Sequence, residues 1–260
     1  MKNFGIDVRV QHGKMDFMYG KDVIGPKPEI RRLDDIRSSL QDPKATGPEE
    51  LYCIAMDVYR KQDRQRLDER NLLFGSVTYS KGQIGKEPVR SQGHIHATSP
   101  SCNCSTCEVY EIWEGEAYIY MQKSGADDAG SCYAVHAKAG DVVVVPPGWV
   151  HATINADISS NMTFGAWCVK DYGFDYQAVR EHKGIAFFPE VEEETIVWKF
   201  NEHYKTGDLQ IKEARDYPEL NITSGVPIYE QFIENPDKFL FVSKPSLATS
   251  VWQAMDQSFE

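Results

Sequence analysis

The chain has 260 residues, with 28 Lys plus Arg against 39 Asp plus Glu, and carries a net charge of −11 with its histidines neutral. That acidity makes it a poor counter-ion for nucleic acid, and a mean hydropathy of −0.48 with no long apolar run excludes a helical membrane span. A hydrophobic content of 41% is too high for a disordered chain. Any anionic ligand would have to be attracted locally, by a metal, a few Lys or Arg, or aimed backbone N–H groups.

The first residues, Met1 to Asp7, hold no apolar stretch and no small-residue cleavage site, so a cytoplasmic protein is expected. Pro26, Pro28, Pro43 and Pro48 keep the elements before Glu49 short. Residues 30–36 form a short amphipathic piece, and 51–59 read as a strand or a buried helix, between which the pattern does not decide. Residues 60–70, rich in both charge signs, read as a solvated turn or exposed helix. From Leu72 the texture changes to short strands at 72–79, 108–113, 117–122, 132–137, 141–145, 151–155 and 162–169, separated by Gly, Pro, Asn and Asp turns. That pattern predicts an antiparallel sandwich or barrel. The four valines 142–145 predict a strand buried on both faces. Beyond it, 192–194 open a polar stretch, 228–234 read as a helix stopped by Pro236, 239–242 as a strand, and 251–255 as a short helix. The predicted organisation is an N-terminal arm over 1–70, an all-β barrel over 71–185 and a peripheral extension over 186–260, without readable chemistry in the extension.

The six cysteines are Cys53, Cys102, Cys104, Cys107, Cys132 and Cys168. A chain this long does not need disulfides, and a reducing compartment would not keep them. Cys102, Cys104 and Cys107 form C-x-C-x-x-C. That spacing suggests a zinc or iron–sulfur site, but no second pair of matching spacing follows; reduced loop thiols are the alternative.

The chemistry lies in the histidines. His94 and His96 stand two apart, which on a strand aims both rings at one face. Glu108 opens the next strand, with six residues between it and Gly115. Further on, Gly140 is followed by Pro146-Pro147-Gly148, then His151 and Asn155. A stiff Pro-Pro-Gly turn gives His151 a fixed aim. Three imidazoles and one carboxylate leave coordination positions open, the mark of a catalytic rather than a structural metal.

These two segments resemble the two motifs of the cupin superfamily. The second is matched at every fixed position; in the first, the spacer between His96 and Glu108 is lengthened by the cysteine loop. The resemblance implies a jelly-roll-like cupin β-barrel with His94, His96, Glu108 and His151 as metal ligands. The flanking residues are more specific. Residues 91–96 (Ser-Gln-Gly-His-Ile-His), Glu108-Val109-Tyr110, 144–151, Asp175-Tyr176 and Arg31-Arg32-Leu33-Asp34-Asp35 resemble the cupin-type glucose-6-phosphate isomerases over about residues 28–185. That resemblance implies a cytoplasmic homodimer that binds sugar phosphate beside one divalent ion per subunit (iron, manganese, nickel or zinc). It further implies Ser76, Ser91, Gly93 and Tyr110 as substrate contacts, and Glu108 and Tyr176 in catalysis. The departures are Phe174 for a family His, Trp167-Cys168 where the family has a Tyr, and Gly148 for an aromatic.

Such a reaction removes a proton from C2 and returns one to C1, with a metal polarising the carbonyl. Glu108 is the candidate base, although a carboxylate held by a cation is a weaker base; a hydride shift is the alternative, and His136 an alternative base. Tyr176 either positions sugar hydroxyls or packs at the barrel mouth. Trp113, Trp149 and Trp167 read as packing residues. Lys86, Arg90 and the 91–93 segment are the candidates for local positive charge. The rival functions are a metal-dependent cupin dioxygenase and a non-catalytic sugar-binding cupin; within the isomerases, mannose 6-phosphate is a rival substrate.

Overall fold

A computed structural model describes residues 4–11 and 13–257. Met1 to Asn3 and His12 therefore lie outside the described residues. Among the described residues, no helix is long and apolar enough to cross a membrane. The fold is all-β at its centre. Its principal strands are β1 (Glu29–Arg32), β2 (Glu50–Met56), β3 (Leu72–Tyr79), β4 (Ile95–His96), β5 (Glu108–Glu114), β6 (Glu116–Gln122), β7 (Asp128–Lys138), β8 (Val142–Val145), β9 (Val150–Asn155), β10 (Met162–Val169), β11 (Phe174–Asp175), β12 (Phe187–Glu192), β13 (Thr195–Phe200) and β14 (Thr206–Glu213).

Two sheets carry the architecture, one in the order β8-β5-β10-β3-β2-β1 and one in the order β9-β6-β7-β14. All the pairings in both are antiparallel except β7–β14, which is parallel. Alternation explains the packing. Val77, Tyr110, Ile112 and Phe164 from the larger sheet meet Ile119, Met121 and Tyr133 from the smaller in one buried core. The chain passes from the larger sheet to the smaller at Gly115, whose φ of +74° suits glycine, and whose Cβ would fall 2.6 Å from the Asn161 carbonyl oxygen.

The larger sheet is covered on its outer face too. Trp167 and Phe74 pack there against Tyr229 and Phe232 from the helix Ile228–Glu234 and against Phe239 and Val242 beyond it. Double coverage is why every residue of β3 and β10 is buried; in the valine strand Val143 to Val145 are buried and Val142 is partly so. On the smaller sheet, Tyr120 stacks on Trp198 of the β12–β13 hairpin at 5.7 Å.

Several expectations change. Residues 239–242 are not a strand but the junction of two short helical turns, 236–239 and 240–243. A four-residue apolar run has no period that separates the two forms. The ambiguous stretch at 51–59 is largely strand, β2. The polar residues 192–194 lie at a hairpin turn, where Glu193 and Glu194 take positive φ. The first 70 residues also supply β1 and β2 to the larger sheet, while β14, within 186–260, extends the smaller one.

Candidate metal centre and its cavity

The site is assembled by backbone pairing. The main chains of His94 and His151 exchange hydrogen bonds, His94 N to His151 O at 3.0 Å and His151 N to His94 O at 2.9 Å. Gly93 makes the turn into this pair, at φ +91°, and a Cβ there would sit 2.8 Å from Ile185 Cγ2. β4 then brings His96 beside His94, and β5 brings Glu108. The ligand atoms of His94, His96, Glu108 and His151 all lie within 4.8 Å of one another and could hold a metal ion.

The hydrogen bonds prepare these groups for a cation. Nδ1 of His96 lies 3.1 Å from the Thr106 carbonyl oxygen, and Nδ1 of His151 lies 3.1 Å from that of Trp149. A carbonyl can only accept, so each Nδ1 carries the proton and each Nε2 presents a lone pair. The Nε2 atoms of His94, His96 and His151 are all buried without a hydrogen-bond partner. Two of them stand 3.4 and 3.3 Å from Glu108 Oε2. Buried lone pairs facing a carboxylate repel unless a cation lies among them, so this donor set fits a divalent ion.

Burial pushes the Glu108 carboxyl up, but His151 and His96 outweigh it and hold it well below its ordinary range. Burial, reinforced by His151 and His96, holds the His94 imidazole well below its ordinary value. Burial also lowers His151, against the opposing pull of Glu108. Both Glu108 oxygens are engaged: Tyr110 donates its hydroxyl to Oε2 at 2.6 Å, and the Cys168 thiol donates to Oε1 at 3.0 Å. Burial and the Glu108 charge push both donors well up, so each keeps its proton.

The cavity beside these groups is lined by Tyr52, Tyr79, Ser91, Gly93, Phe174 and Tyr176, with Glu108, Tyr110 and the histidines 94 and 151. Ser91 Oγ accepts the Thr153 N–H at 3.0 Å. The Phe174 ring lies 4.4 Å from that of His94, and Tyr176 lies 5.8 Å from it. Ser76 is not brought to the cavity: Val77 and Tyr79 line it, so by alternation Ser76 faces the other side of β3, where its buried hydroxyl has no hydrogen-bond partner. The Tyr110 hydroxyl is occupied by Glu108. His136 lies away from the site, on the outer face of the smaller sheet, between Glu116 at 2.8 Å and Glu213 at 3.3 Å.

The local positive charge differs from expectation. Arg90 is wholly buried, and its charge is spent on Glu87 at 2.6 Å and the Ser39 carbonyl at 2.6 Å. Lys86 reaches towards Glu190 at 3.8 Å. The cations beside Tyr176 are Arg31, whose charge acts on Tyr176 but is also ion-paired with Glu29, and Arg180, 4.9 Å over the Tyr176 ring and bonded to Gln92 at 3.1 Å. Neither role is visible along the chain, because strand pairing and a five-residue helix, Gln177–Glu181, create them. Cys168 had a readable signal: it keeps the inward phase of β10 set by Phe164.

Residues 31–206 match the family described as "Glucose-6-phosphate isomerase (GPI)". The chain is 29% identical over 175 residues to the glucose-6-phosphate isomerase of Pyrococcus furiosus, covering 66% of this chain and 85% of that protein. It is 27% identical over 194 residues to that of Thermococcus litoralis, covering 74% and 95%. It is 30% identical over 172 residues to that of Pyrococcus abyssi, covering 65% and 83%. Among solved structures, an oxalate oxidase in complex with the substrate analogue glycolate is 18% identical, with a TM-score of 0.28 over 37% of this chain and 41% of that one. Bacillus subtilis oxalate decarboxylase is 18% identical, with a TM-score of 0.34 over 48% and 27%.

Proposed function

The chain belongs to the glucose-6-phosphate isomerase family, and from that premise we propose that it interconverts D-glucose 6-phosphate and D-fructose 6-phosphate using one divalent metal ion per subunit. The observation that carries the metal dependence is the convergence of three partnerless Nε2 atoms on Glu108. His94, His96, Glu108 and His151 would hold the ion. When bound, it supplies Lewis-acid polarisation of the sugar carbonyl.

The chain's own groups do the rest. Glu108 already accepts hydrogen bonds on both oxygens from Tyr110 and Cys168. That favours a ligand over a free base, and supports direct hydrogen transfer between C2 and C1 over a Glu108 shuttle. Tyr176 lines the cavity with Arg180 over its ring, a placement suited to orienting sugar hydroxyls. Ser91 and Gly93 line the same cavity and would contact the substrate there. Arg180, with Arg31 if it exchanges its Glu29 partner for the ligand, would give the phosphate a positive rim despite the net charge of −11. A cytoplasmic homodimer acting in glycolysis and gluconeogenesis completes the proposal, on the strength of the family alone.

The test is conversion of fructose 6-phosphate after chelation and re-addition of single metals. Turnover that vanishes with chelation and returns with one of iron, manganese, nickel or zinc is expected. Folded protein that binds metal but turns over with none of them overturns the reading. For the rim, Arg31→Ala raises KM for fructose 6-phosphate about 10-fold or more while kcat changes little, since a charge-assisted hydrogen bond contributes about 1.5–3 kcal/mol. An unchanged KM removes Arg31 from substrate binding.

A further inference from the structure

The loop that lengthens the spacer between His96 and Glu108 supplies no ligand to the candidate metal cluster. Cys107, its last cysteine, points away into the core, its thiol 3.7 Å from the Phe241 carbonyl oxygen. That breaks up the C-x-C-x-x-C as a metal site, and the metal-competent cluster found among the described residues excludes all three cysteines. Cys102 and Cys104 behave differently. They are partly exposed free thiols whose sulfurs stand 3.0 Å apart, Cys104 donating to Cys102. Asn103 between them takes a left-handed φ of 54°. Ser99 closes the turn, its N–H bonded to the Cys104 carbonyl at 2.9 Å and its own carbonyl accepting Asn103 N–H at 2.8 Å.

The same turn mounts the histidines. Ser105 donates its hydroxyl to the His96 carbonyl at 2.7 Å and accepts Gly148 N–H at 3.0 Å. Gly148 belongs to the turn that aims His151. Thr106 supplies the carbonyl that fixes the His96 ring. Anything that tightens 102–104 therefore pulls on the supports of two candidate ligands.

We infer that Cys102 and Cys104 are a reversible redox-modification site, oxidised by peroxide to an intraloop disulfide that weakens the hold on His96. Bringing the sulfurs from 3.0 Å to covalent distance requires about 1 Å of movement. Burial and the neighbouring sulfur push Cys104 up to about 11, so Cys104 keeps its proton until the second step. The Cys102 thiolate attacks one peroxide oxygen and breaks the O–O bond. The departing hydroxide takes a proton to become water, leaving a sulfenic acid. The Cys104 sulfur then attacks the Cys102 sulfur. The S–O bond breaks, and the expelled hydroxide takes the Cys104 proton. Two thiols are oxidised by two electrons and one peroxide is reduced to two waters.

The test treats the intact chain with stoichiometric hydrogen peroxide and maps the peptide spanning 102–104. A loss of two hydrogens, reversed by dithiothreitol, is expected. In Cys104→Ser, Cys102 is expected to be trapped as a sulfenic acid by a cyclic 1,3-dione. Thiols that stay reduced, or that gain oxygen without joining, overturn the site. The link to His96 rests on the metal reading and is tested separately. Oxidation should weaken Zn²⁺ binding about 10-fold in the wild type and leave it unchanged in the Cys102→Ser, Cys104→Ser double variant. Equal affinity in both redox states of the wild type overturns the link while the disulfide mapping stands.

Discussion

His151→Ala abolishes metal binding and isomerase turnover together. The ring is buried, and its Nε2 has no hydrogen-bond partner in the protein, so its loss removes a metal donor together with the Nδ1 bond to the Trp149 carbonyl. Losing a group that merely orients a ligand costs about 10–100-fold in metal affinity, and losing the ligand itself exceeds that. Turnover therefore falls by more than about 100-fold. Metal content after dialysis and the rate with fructose 6-phosphate are the two measurements. His136→Ala is the control: its ring bonds Glu116 and Glu213 on the outer face, so both quantities should stay at the wild-type level. A His151→Ala protein that keeps its metal and its rate overturns the ligand assignment.

The four candidate ligands were legible because their spacing encodes direction. Two histidines two apart on a strand share a face, and a Pro-Pro-Gly turn has few conformations. The cavity wall was only partly legible. Ser91, Gly93, Tyr110 and Tyr176 reach it, but Ser76 does not, because the phase of β3 is set by which face meets the facing sheet, and β3 is buried on both. With both faces buried, and Ser76 and Thr78 on the same face as Leu72 and Phe74, alternation does not say which face meets the cavity. The cations were misplaced for a related reason. Arg90 sits close in sequence to His94, yet its guanidinium turns to Glu87 and Ser39. Arg31, some sixty residues before the site, arrives because β1 lies beside β2 at the edge of the larger sheet. Proximity along the chain says little about charge at a site built from strand pairs.

Trp167 and Cys168 are adjacent in sequence and project from opposite faces of β10, so their substitutions should separate stability from metal binding. Trp167 is fully buried and packs against Phe74 at 4.7 Å, Phe232 at 4.8 Å and Tyr229 at 5.5 Å. It joins the barrel to the C-terminal helices. Trp167→Ala leaves a cavity these rings cannot fill, at a cost of about 3–5 kcal/mol, a large part of the roughly 5–15 kcal/mol that holds a domain folded. Thermal melting should fall by about 10 °C or more, at roughly 2–4 °C per kcal/mol for a chain of this size. Below its melting range the folded variant should still bind metal within about twofold of wild type, because nothing on that face touches Glu108. Cys168→Ala behaves the other way. It removes only a sulfur, so melting shifts less, but Glu108 Oε1 loses its 3.0 Å donor and metal affinity drops by about 10-fold or more. Cys168→Ser, which restores a donor, recovers most of that loss. If Cys168→Ala leaves metal affinity unchanged, Tyr110 alone orients the carboxylate. If Trp167→Ala weakens metal binding as much as it lowers melting, the two faces of β10 are coupled and the C-terminal extension helps shape the site.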